Sequence, residues 1–194
     1  MLSETYDIIA KDFAKTRIFT WTWTDEFMEN IQKYSTILDI GCGNGRNLCY
    51  KNMIMYGLDL SVEQLKNFSL ENNNRIQANM ISIPFRDNSF DNIIAVASFH
   101  HLRTLLERRQ CLLEMNRVLT TGGKILLSVW SINQPKKTKR TFNEYGDTIV
   151  YWKNIPRYYY IFQLEEITQL LQEYFFIENY KWNCGNEIFI LIKK

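Results

Sequence analysis

Short apolar runs that end at glycine or at a polar residue recur along the first two thirds of the chain, separated by amphipathic segments. Runs of this length are typical of strands that are buried on both faces of a parallel sheet. The alternation with helical segments predicts right-handed βαβ units. The five runs that we predict as parallel strands are 36–40, 53–58, 75–80, 92–97 and 124–130.

Helix signals lie between these runs. Residues 4–14 place apolar side chains on one face, which predicts an amphipathic first helix. A second helix is predicted to begin near Thr24 and to complete an N-terminal pair within residues 1–34. Capping-box spacings predict two further helix starts, and a glycine pair predicts the end of the second of these helices. These signals are Ser61 with Gln64, Thr104 with Glu107, and glycines 122 and 123.

The last third of the chain changes character. Residues 131–162 combine basic and aromatic side chains without a clear period, so we predict a long loop on the substrate side of the domain. A helix follows near residue 164, and two apolar runs at 175–181 and 187–193 predict an antiparallel hairpin. The expected fold is therefore α/β, with a seven-stranded, mostly parallel sheet and helices on both faces.

Composition narrows the class of protein. With 194 residues, 46% of them hydrophobic, the chain can bury a full core, and we expect one domain over 1–194. The formal net charge of +2 excludes a polycationic nucleic-acid coat but leaves room for a local basic patch. No secretory signal or bilayer-spanning run is visible, which predicts a cytoplasmic protein, with the nucleus as the alternative.

Cysteines and histidines are few and poorly spaced for a metal. The four cysteines form no C-x-x-C pair, and the two histidines, His100 and His101, are adjacent. A structural zinc site or a disulfide framework is therefore not expected.

A ligand site is predicted where the first strand ends. The sequence Asp39-Ile-Gly-Cys-Gly-Asn-Gly45 places three glycines directly after a buried strand. We call Gly41–Gly45 the glycine loop. Glycine lets the backbone approach a ligand closely, and ligands of open α/β sheets bind at the carboxyl ends of the strands. Asp59 ends the second strand, where its carboxylate could accept both hydroxyls of a ribose. Asn79-Met80 ends the third.

These motifs resemble those of the class I S-adenosylmethionine-dependent methyltransferases. The resemblance continues through Ile83–Asp91 and through the segment 117–123, and it implies a Rossmann-like fold that binds S-adenosylmethionine. Most relatives have aspartate where this chain has Asn79, whose amide oxygen can still accept a hydrogen bond from adenine. The implied cofactor-binding residues are Tyr6, Asp39, Gly41, Gly43, Gly45, Asp59, Leu60, Asn79, Met80 and Ala97.

Further segments resemble the eukaryotic tRNA wobble-uridine carboxymethyl methyltransferases, which esterify 5-carboxymethyluridine at position 34. These segments are Tyr6–Arg17, Phe99–Leu102 and Arg157–Phe162. Tyr160 stands where that family has histidine, and the tail 183–190 departs from the family pattern. The catalytic residues that the resemblance implies are Arg17, His100, His101, Arg157 and Tyr158.

Two kinds of partner follow. Basic residues interleaved with aromatics suit a single-stranded anticodon loop of tRNA, and the candidates are Lys136, Lys137, Lys139 and Arg140. The resemblance also implies a small zinc-binding activator protein. The predicted strand near Arg75–Ala78 lies at a sheet edge, where a partner strand could pair with it. No membrane partner is expected.

Three alternatives remain open at this stage. A small-molecule methyltransferase of the same fold would share the glycine loop, and a degenerate, non-catalytic methyltransferase-like subunit would share the fold. A nicotinamide-dependent oxidoreductase is more distant, because its fingerprint requires a third glycine where this chain has Arg46.

Overall fold

The computed structural model describes residues 2–67, 74–136, 138 and 141–194. Its strands are β1 (Thr36–Ile40), β2 (Ile54–Asp59), β3 (Arg75–Gln77), β4 (Phe90–Val96), β5 (Leu119–Trp130), β6 (Gly146–Trp152), β7 (Ile155–Ile161), β8 (Phe175–Asn183) and β9 (Asn186–Lys193). Its α-helices are α1 (Leu2–Ala14), α2 (Thr22–Glu29), α3 (Val62–Lys66), α4 (Leu105–Val118) and α5 (Leu164–Gln172), and a short 3₁₀ helix covers Phe99–His101.

Seven strands form one sheet in the order β3-β2-β1-β4-β5-β9-β8. The first five are parallel to one another, whereas β9 runs antiparallel to both β5 and β8. The predicted seven-stranded, mostly parallel sheet with an antiparallel C-terminal hairpin is confirmed. The predicted edge position of β3 is also confirmed, because β2 is its one neighbour in the sheet.

Each face of the sheet buries its own apolar layer, because neighbouring residues of a strand point to opposite faces. In β1, Leu38 belongs to the layer that holds Leu112 of α4. Ile37 belongs to the opposite layer, with Trp23 and Phe27 of α2. All five of these side chains are at most 4% exposed, so both faces are sealed from solvent.

The connection between β1 and β2 contains turns but no helix, and the structure describes every residue of it, 41–53. The layer on that side of the sheet is covered instead by α2, which precedes β1 in the chain. None of the helices within the described ranges is long and apolar enough to cross a membrane.

Three sequence predictions need correction. The predicted loop 131–162 holds an antiparallel hairpin, β6–β7, which forms a separate two-stranded sheet. The glycine pair 122–123 does not end α4, which stops at Val118. It lies within β5, where the pairing with β4 is irregular. The second helix does not begin at Thr24: α2 begins at Thr22, and Thr24 is buried within it next to the buried Trp23.

The start of α4 follows its prediction closely. The Thr104 hydroxyl accepts a hydrogen bond from the Glu107 backbone N–H, and the Glu107 carboxylate accepts one from the backbone N–H of Thr104. This reciprocal pair satisfies donors that the first turn of a helix leaves open. The helix therefore begins at a fixed point directly after the 3₁₀ helix Phe99–His101.

The face pattern of α4 gives a stability prediction. Leu112 is fully buried, whereas the next residue, Leu113, is 49% exposed. We expect Leu112→Ala to lower the free energy of unfolding by about 2–5 kcal/mol, because it leaves a cavity in the core. Leu113→Ala, the same substitution one position along, should cost less than about 1 kcal/mol. Denaturant unfolding of both variants measures this, and equal losses would contradict the assigned faces.

Candidate functional site

A cavity of about 470 Å³ opens at the carboxyl ends of β1, β2 and β4. The glycine loop forms its floor. The backbone N–H groups of Gly41 and Cys42 both donate to the Leu58 carbonyl, and the Gly43 N–H donates to the Asp59 carboxylate at 2.8 Å. These bonds tie the loop to the end of β2, so the loop and Asp59 form one surface.

Gly41 directly follows β1 and lies against Ser98, which lies just after the end of β4. Its φ of +76° is a backbone conformation that favours glycine, and a Cβ added there would lie 2.4 Å from the Ser98 Cβ. Ser98 holds the contact, since its hydroxyl donates to the Ile40 carbonyl at 2.7 Å. Gly43, by contrast, faces open space in the cavity, with no atom nearer than 3.8 Å to such a Cβ.

Asp59 is positioned by backbone donors. Its two carboxylate oxygens accept from Gly43 N–H and from Ser61 N–H, each at 2.8 Å. Burial raises the pKa of Asp59, and these N–H groups oppose that rise by stabilising the charged form. Each carboxylate oxygen keeps a lone pair after these bonds, so Asp59 can still accept hydroxyl donors from a ligand.

Buried polar atoms without partners surround the glycine loop. Among the described residues, the Asp39 Oδ1, the Asn47 Oδ1 and both amide atoms of Gln64 are buried and have no hydrogen-bond partner. Asn47 and Gln64 line the cavity, and Asp39 lies directly beneath the loop. Burial raises the pKa of Asp39 to about 7. Polar atoms left unpaired in this way are costly unless a ligand satisfies them, so these residues fit a polar, partly cationic cofactor.

Helix α1 closes one side of the cavity and is held there at its middle and at its C-terminal end. In the middle of the helix, Asp7 accepts hydrogen bonds from the Ser61 hydroxyl and from the Glu63 N–H at the start of α3. At the C-terminal end, the Asn44 side chain of the glycine loop donates to the carbonyls of Ala14 and Arg17. Of the N-terminal helices that are predicted to cover the cofactor, α1 lines the cavity, whereas α2 packs on the sheet.

A chain of hydrogen bonds joins three separate elements above the glycine loop. The Arg157 guanidinium donates to the Tyr159 hydroxyl at 2.6 Å, and the Tyr159 hydroxyl lies 3.4 Å from the hydroxyl of Tyr6. The Tyr6 hydroxyl is 2.9 Å from the His101 Nε2, and the His101 Nδ1 is 2.8 Å from the Tyr158 carbonyl. The chain thus links β7, α1 and the 3₁₀ helix.

The direction of this chain fixes the protonation of His101. A carbonyl can only accept, so the His101 Nδ1 carries a proton. When the ring is neutral, its Nε2 carries none and accepts from the Tyr6 hydroxyl. Tyr6 in turn accepts from Tyr159, and Tyr159 accepts from Arg157. Burial lowers the pKa of His101 to about 4, which agrees with a neutral imidazole whose available lone pair is already used.

Arginines bring positive charge to the same cavity. Arg17 and Arg46 line it, and Arg157 is buried behind Tyr159. Burial lowers the pKa of Arg46 to about 10, and repulsion from Arg17 adds to this shift. Across the described part of the chain, the Arg157 Nε is buried without a hydrogen-bond partner. The arrangement favours an anionic ligand.

Most of the predicted cofactor residues line this cavity, but two do not. The residues that line it are Tyr6, Gly41, Gly43, Asp59, Leu60, Asn79, Met80 and Ala97. Asp39 and Gly45 lie outside the lining. The Asn79 side-chain oxygen already accepts from the Ile81 N–H at 3.2 Å and keeps one lone pair for a ligand.

The predicted catalytic residues separate into two groups. Arg17 and His101 line the cavity. His100 points elsewhere, where its Nδ1 accepts the Trp130 backbone N–H at 3.1 Å. Arg157 reaches the cavity through Tyr159, and the Tyr158 hydroxyl faces away, bonded to Asp147 at 2.5 Å. The sequence could not choose between the two histidines, whereas the structure places one in the cavity wall.

Of the four residues in the predicted basic cluster, the structure describes one. Lys136 is exposed, and Lys137, Lys139 and Arg140 lie outside the described residues. Across the described ranges, no group of three or more His, Cys, Asp or Glu side chains could hold a metal ion.

Sequence reasoning missed Tyr159 and Arg46. Tyr159 lies in β7, where residues 157, 159 and 161 point to one side and 158 and 160 to the other. Reading 155–161 as a strand would have assigned Tyr159, and not Tyr158 or Tyr160, to the cavity wall. Tyr160 instead packs against Arg108 and donates to Glu166. The position at which this chain has tyrosine, and the family that it resembles has histidine, therefore lies outside the cavity.

Residues 38–127 match a family model described as a methyltransferase domain. The chain is 30% identical over 196 residues to the tRNA (carboxymethyluridine(34)-5-O)-methyltransferase of Schizosaccharomyces pombe, with 87% of this chain and 85% of that protein covered. It is 35% identical over 130 residues to the Arabidopsis thaliana protein of the same name, covering 66% of this chain but only 32% of that protein.

A solved structure shares the fold. The methyltransferase that was solved in complex with the Trm112 methyltransferase activator of Haloferax volcanii superposes with a TM-score of 0.73 and 14% identity. The match covers 100% of this chain and 97% of that chain. At this level of identity the likeness concerns the fold alone.

Gly41 offers a test of the glycine loop with a matched control. Gly41 and Gly122 have φ values of +76° and +75°, but a Cβ meets Ser98 at the first position and nothing within 4 Å at the second. We expect Gly122→Ala to cost about 1 kcal/mol for its backbone conformation alone. Gly41→Ala should cost clearly more and should also weaken ligand binding in the cavity. Thermal unfolding and calorimetric titration measure both, and equal costs would contradict the close approach.

Proposed function

The chain belongs to the class I S-adenosylmethionine-dependent methyltransferases, and from that premise we propose that it methylates the carboxylate of 5-carboxymethyluridine at tRNA position 34. The observation that carries this proposal is the pairing of an arginine-lined cavity with a histidine that is held neutral. Relatives whose names state this activity support it.

The glycine loop, Asp59 and the polar residues around them would hold the cofactor. When bound, S-adenosylmethionine supplies an electrophilic methyl group. Asp59 would accept the ribose hydroxyls, and the glycine loop would leave room for the amino-acid end of the cofactor at Gly43. The unpartnered atoms of Asn47 and Gln64 would take up its polar groups. Asp39, which lies outside the lining, would act through Asn47, whose amide donates to it.

The described residues of the cavity support one kind of nucleophile. His101 cannot act as a base near neutral pH, because its Nε2 already accepts from Tyr6 and its pKa lies near 4. A hydroxyl or an amine nucleophile would need such a base, whereas a carboxylate is already ionised at neutral pH. The protein therefore needs only to orient the substrate oxygen and to exclude water.

Orientation of the carboxylate would fall to the arginines. Arg17 lines the cavity directly, and its guanidinium lies 4.3 Å over the Phe13 ring, which restricts its orientation. Arg157 would act through Tyr159, because its hydrogen bond polarises the hydroxyl that faces the cavity. The Trp130 and Tyr159 rings, stacked 4.0 Å apart, form an apolar wall against which the uracil ring could lie.

A small zinc-binding activator is proposed as the partner at β3. Among the described residues, this strand of three residues has β2 as its one neighbour in the sheet, so its other edge offers a backbone for pairing. The methyltransferase fold that superposes on this chain was solved with the Trm112 activator, which supports a partner of this kind. Lys136 and the basic residues after it would contact tRNA phosphates and add affinity that depends on salt.

Methyl transfer tests the substrate assignment. The full chain, purified with the activator, is incubated with labelled S-adenosylmethionine and tRNA that carries 5-carboxymethyluridine at position 34. We expect a base-labile labelled ester on this tRNA and none on tRNA with an unmodified wobble uridine. Arg17→Met should lower kcat/KM about a hundredfold, because it removes a positioned cation from the cavity.

Arg109→Met is the matched control for Arg17→Met. Arg109 is an exposed arginine of α4 that pairs with Glu173, so its loss should leave methyl transfer unchanged. An equal loss of activity in both variants would contradict the role of Arg17. Equal labelling of modified and unmodified tRNA would contradict the substrate.

The partner edge can be tested at Gln77. The Gly57 N–H donates to the Asn74 carbonyl and the Ala78 N–H donates to the Asp59 carbonyl, so residues 74, 76 and 78 face β2. Gln77 therefore directs its N–H outward. We expect Gln77→Pro to abolish co-purification with the activator and Gln77→Ala, which keeps the N–H, to retain it. Co-purification of the proline variant at the native level would exclude this edge as the interface.

A further inference from the structure

A second concave site lies on the outer side of the substrate end of the domain, with a volume of about 350 Å³. Three aromatic side chains surround it, Tyr145, Tyr180 and Trp182, and they are 47%, 39% and 46% exposed. The buried ring of Phe162 forms part of its floor. We call this site the aromatic cleft. Its size is near that of small-ligand pockets, and three half-exposed rings around one hollow are unlike the singly scattered apolar residues of an ordinary surface.

The aromatic cleft shares two thin walls with the main cavity. One wall is the segment after β5, in which Ile132 and Asn133 line the cleft and the next residue, Gln134, lines the cavity. The other wall is the turn between β8 and β9. There Trp182 lines the cleft, whereas Cys184 lines the cavity.

These walls are fixed to each other by hydrogen bonds. The Trp182 indole N–H donates to the Asn133 carbonyl at 3.2 Å, and the Gln134 amide donates to the Gly185 carbonyl at 2.9 Å. A ligand could therefore place one group in the cavity and a neighbouring group in the cleft, with only these walls between the two groups.

The chemistry of the aromatic cleft favours a nucleobase. Flat aromatic faces stack on bases whatever their sequence. Two carboxylates also line the cleft: Glu165 is exposed, and Glu187 is buried and accepts from the Tyr180 hydroxyl at 2.7 Å. Carboxylates accept hydrogen bonds from the amino groups of bases and repel phosphates, so a base edge suits this site and a phosphate does not.

We propose that the aromatic cleft binds an unpaired nucleobase of the RNA substrate, next along the strand to the nucleotide that enters the main cavity. The inference rests on the proposed function in so far as that function makes a single-stranded RNA loop the substrate. The base in the cleft would fix the position of the strand, so that the adjoining nucleotide can leave the stack and enter the cavity.

RNA binding without methyl transfer tests the aromatic cleft. A fluorescently labelled single-stranded RNA of mixed sequence, with no modified uridine, is titrated with the full chain in the absence of methyl donor. We expect Trp182→Ala to weaken binding about tenfold, because a stacking surface is lost. Trp182→Phe keeps a stacking ring but loses the indole N–H bond to Asn133, and it should bind within about twofold of the native chain.

Phe176→Ala is the matched control, because Phe176 is a 61% exposed aromatic of the same strand that does not line the aromatic cleft. It should bind as the native chain does. A second variant, Tyr145→Ala, approaches the cleft from another element and should weaken binding in the same way as Trp182→Ala. RNA carrying 5-iodocytidine should also photocrosslink to the peptide that contains Trp182.

Several results would overturn the proposal. An equal loss in Trp182→Phe and Trp182→Ala would mean that the residue only anchors the wall. An equal loss in Phe176→Ala, or no RNA binding by the native chain, would remove the cleft as a base site. If methyl transfer to carboxymethyluridine fails while the Trp182 series behaves as expected, the cleft stands and the proposed substrate falls. If transfer succeeds while Trp182→Ala binds normally, the cleft alone falls.

Discussion

The hydrogen-bond chain from Arg157 to His101 holds the substrate side of the main cavity together. Its members come from three separate elements, β7, α1 and the 3₁₀ helix, and each hydroxyl in it accepts on one side and donates on the other. Because the Tyr158 carbonyl at its end can only accept and burial keeps the imidazole neutral, the whole chain has one direction. That direction orients both tyrosine hydroxyls and carries the influence of a buried guanidinium to the cavity wall.

The opposite side of the cavity depends on a contact of a different kind. Gly41 and Ser98 meet at the ends of β1 and β4, at a distance that no Cβ at position 41 would permit. The hydroxyl of Ser98 then bonds to the carbonyl of Ile40, so the two strand ends are locked to each other. This side of the cavity thus depends on a close approach of backbone to a small side chain, whereas the side that holds Arg157 and Tyr159 depends on long, charged and aromatic side chains.

The sequence predicted what depends on local pattern and failed where long-range pairing decides. The apolar runs of the parallel strands, the capping box at Thr104 and the acid at the end of β2 are local, and the structure has all three. The hairpin β6–β7 is missed because the residues of β6 alternate in exposure and Pro156 and Arg157 interrupt the apolar residues of β7. As a result, the sequence did not indicate that Tyr159 lies in the cavity wall. The separation of His100 from His101 depends on the partners that each ring finds, Trp130 for one and Tyr6 for the other, and no pattern in the sequence encodes them.

The bond between Tyr6 and Tyr159 spans 153 residues of the chain, and the bond between Tyr6 and His101 spans 95. During synthesis, α1 leaves the ribosome long before either of these partners exists. Contacts of such high sequence separation form late, because the entropy of closing a long loop must first be overcome. The bonds of Asp7 to the start of α3 and of Asn44 to the end of α1 span far fewer residues, so α1 can dock before its tyrosine finds its partners. The hydrogen-bond chain of the main cavity is therefore completed only after β7 has been made.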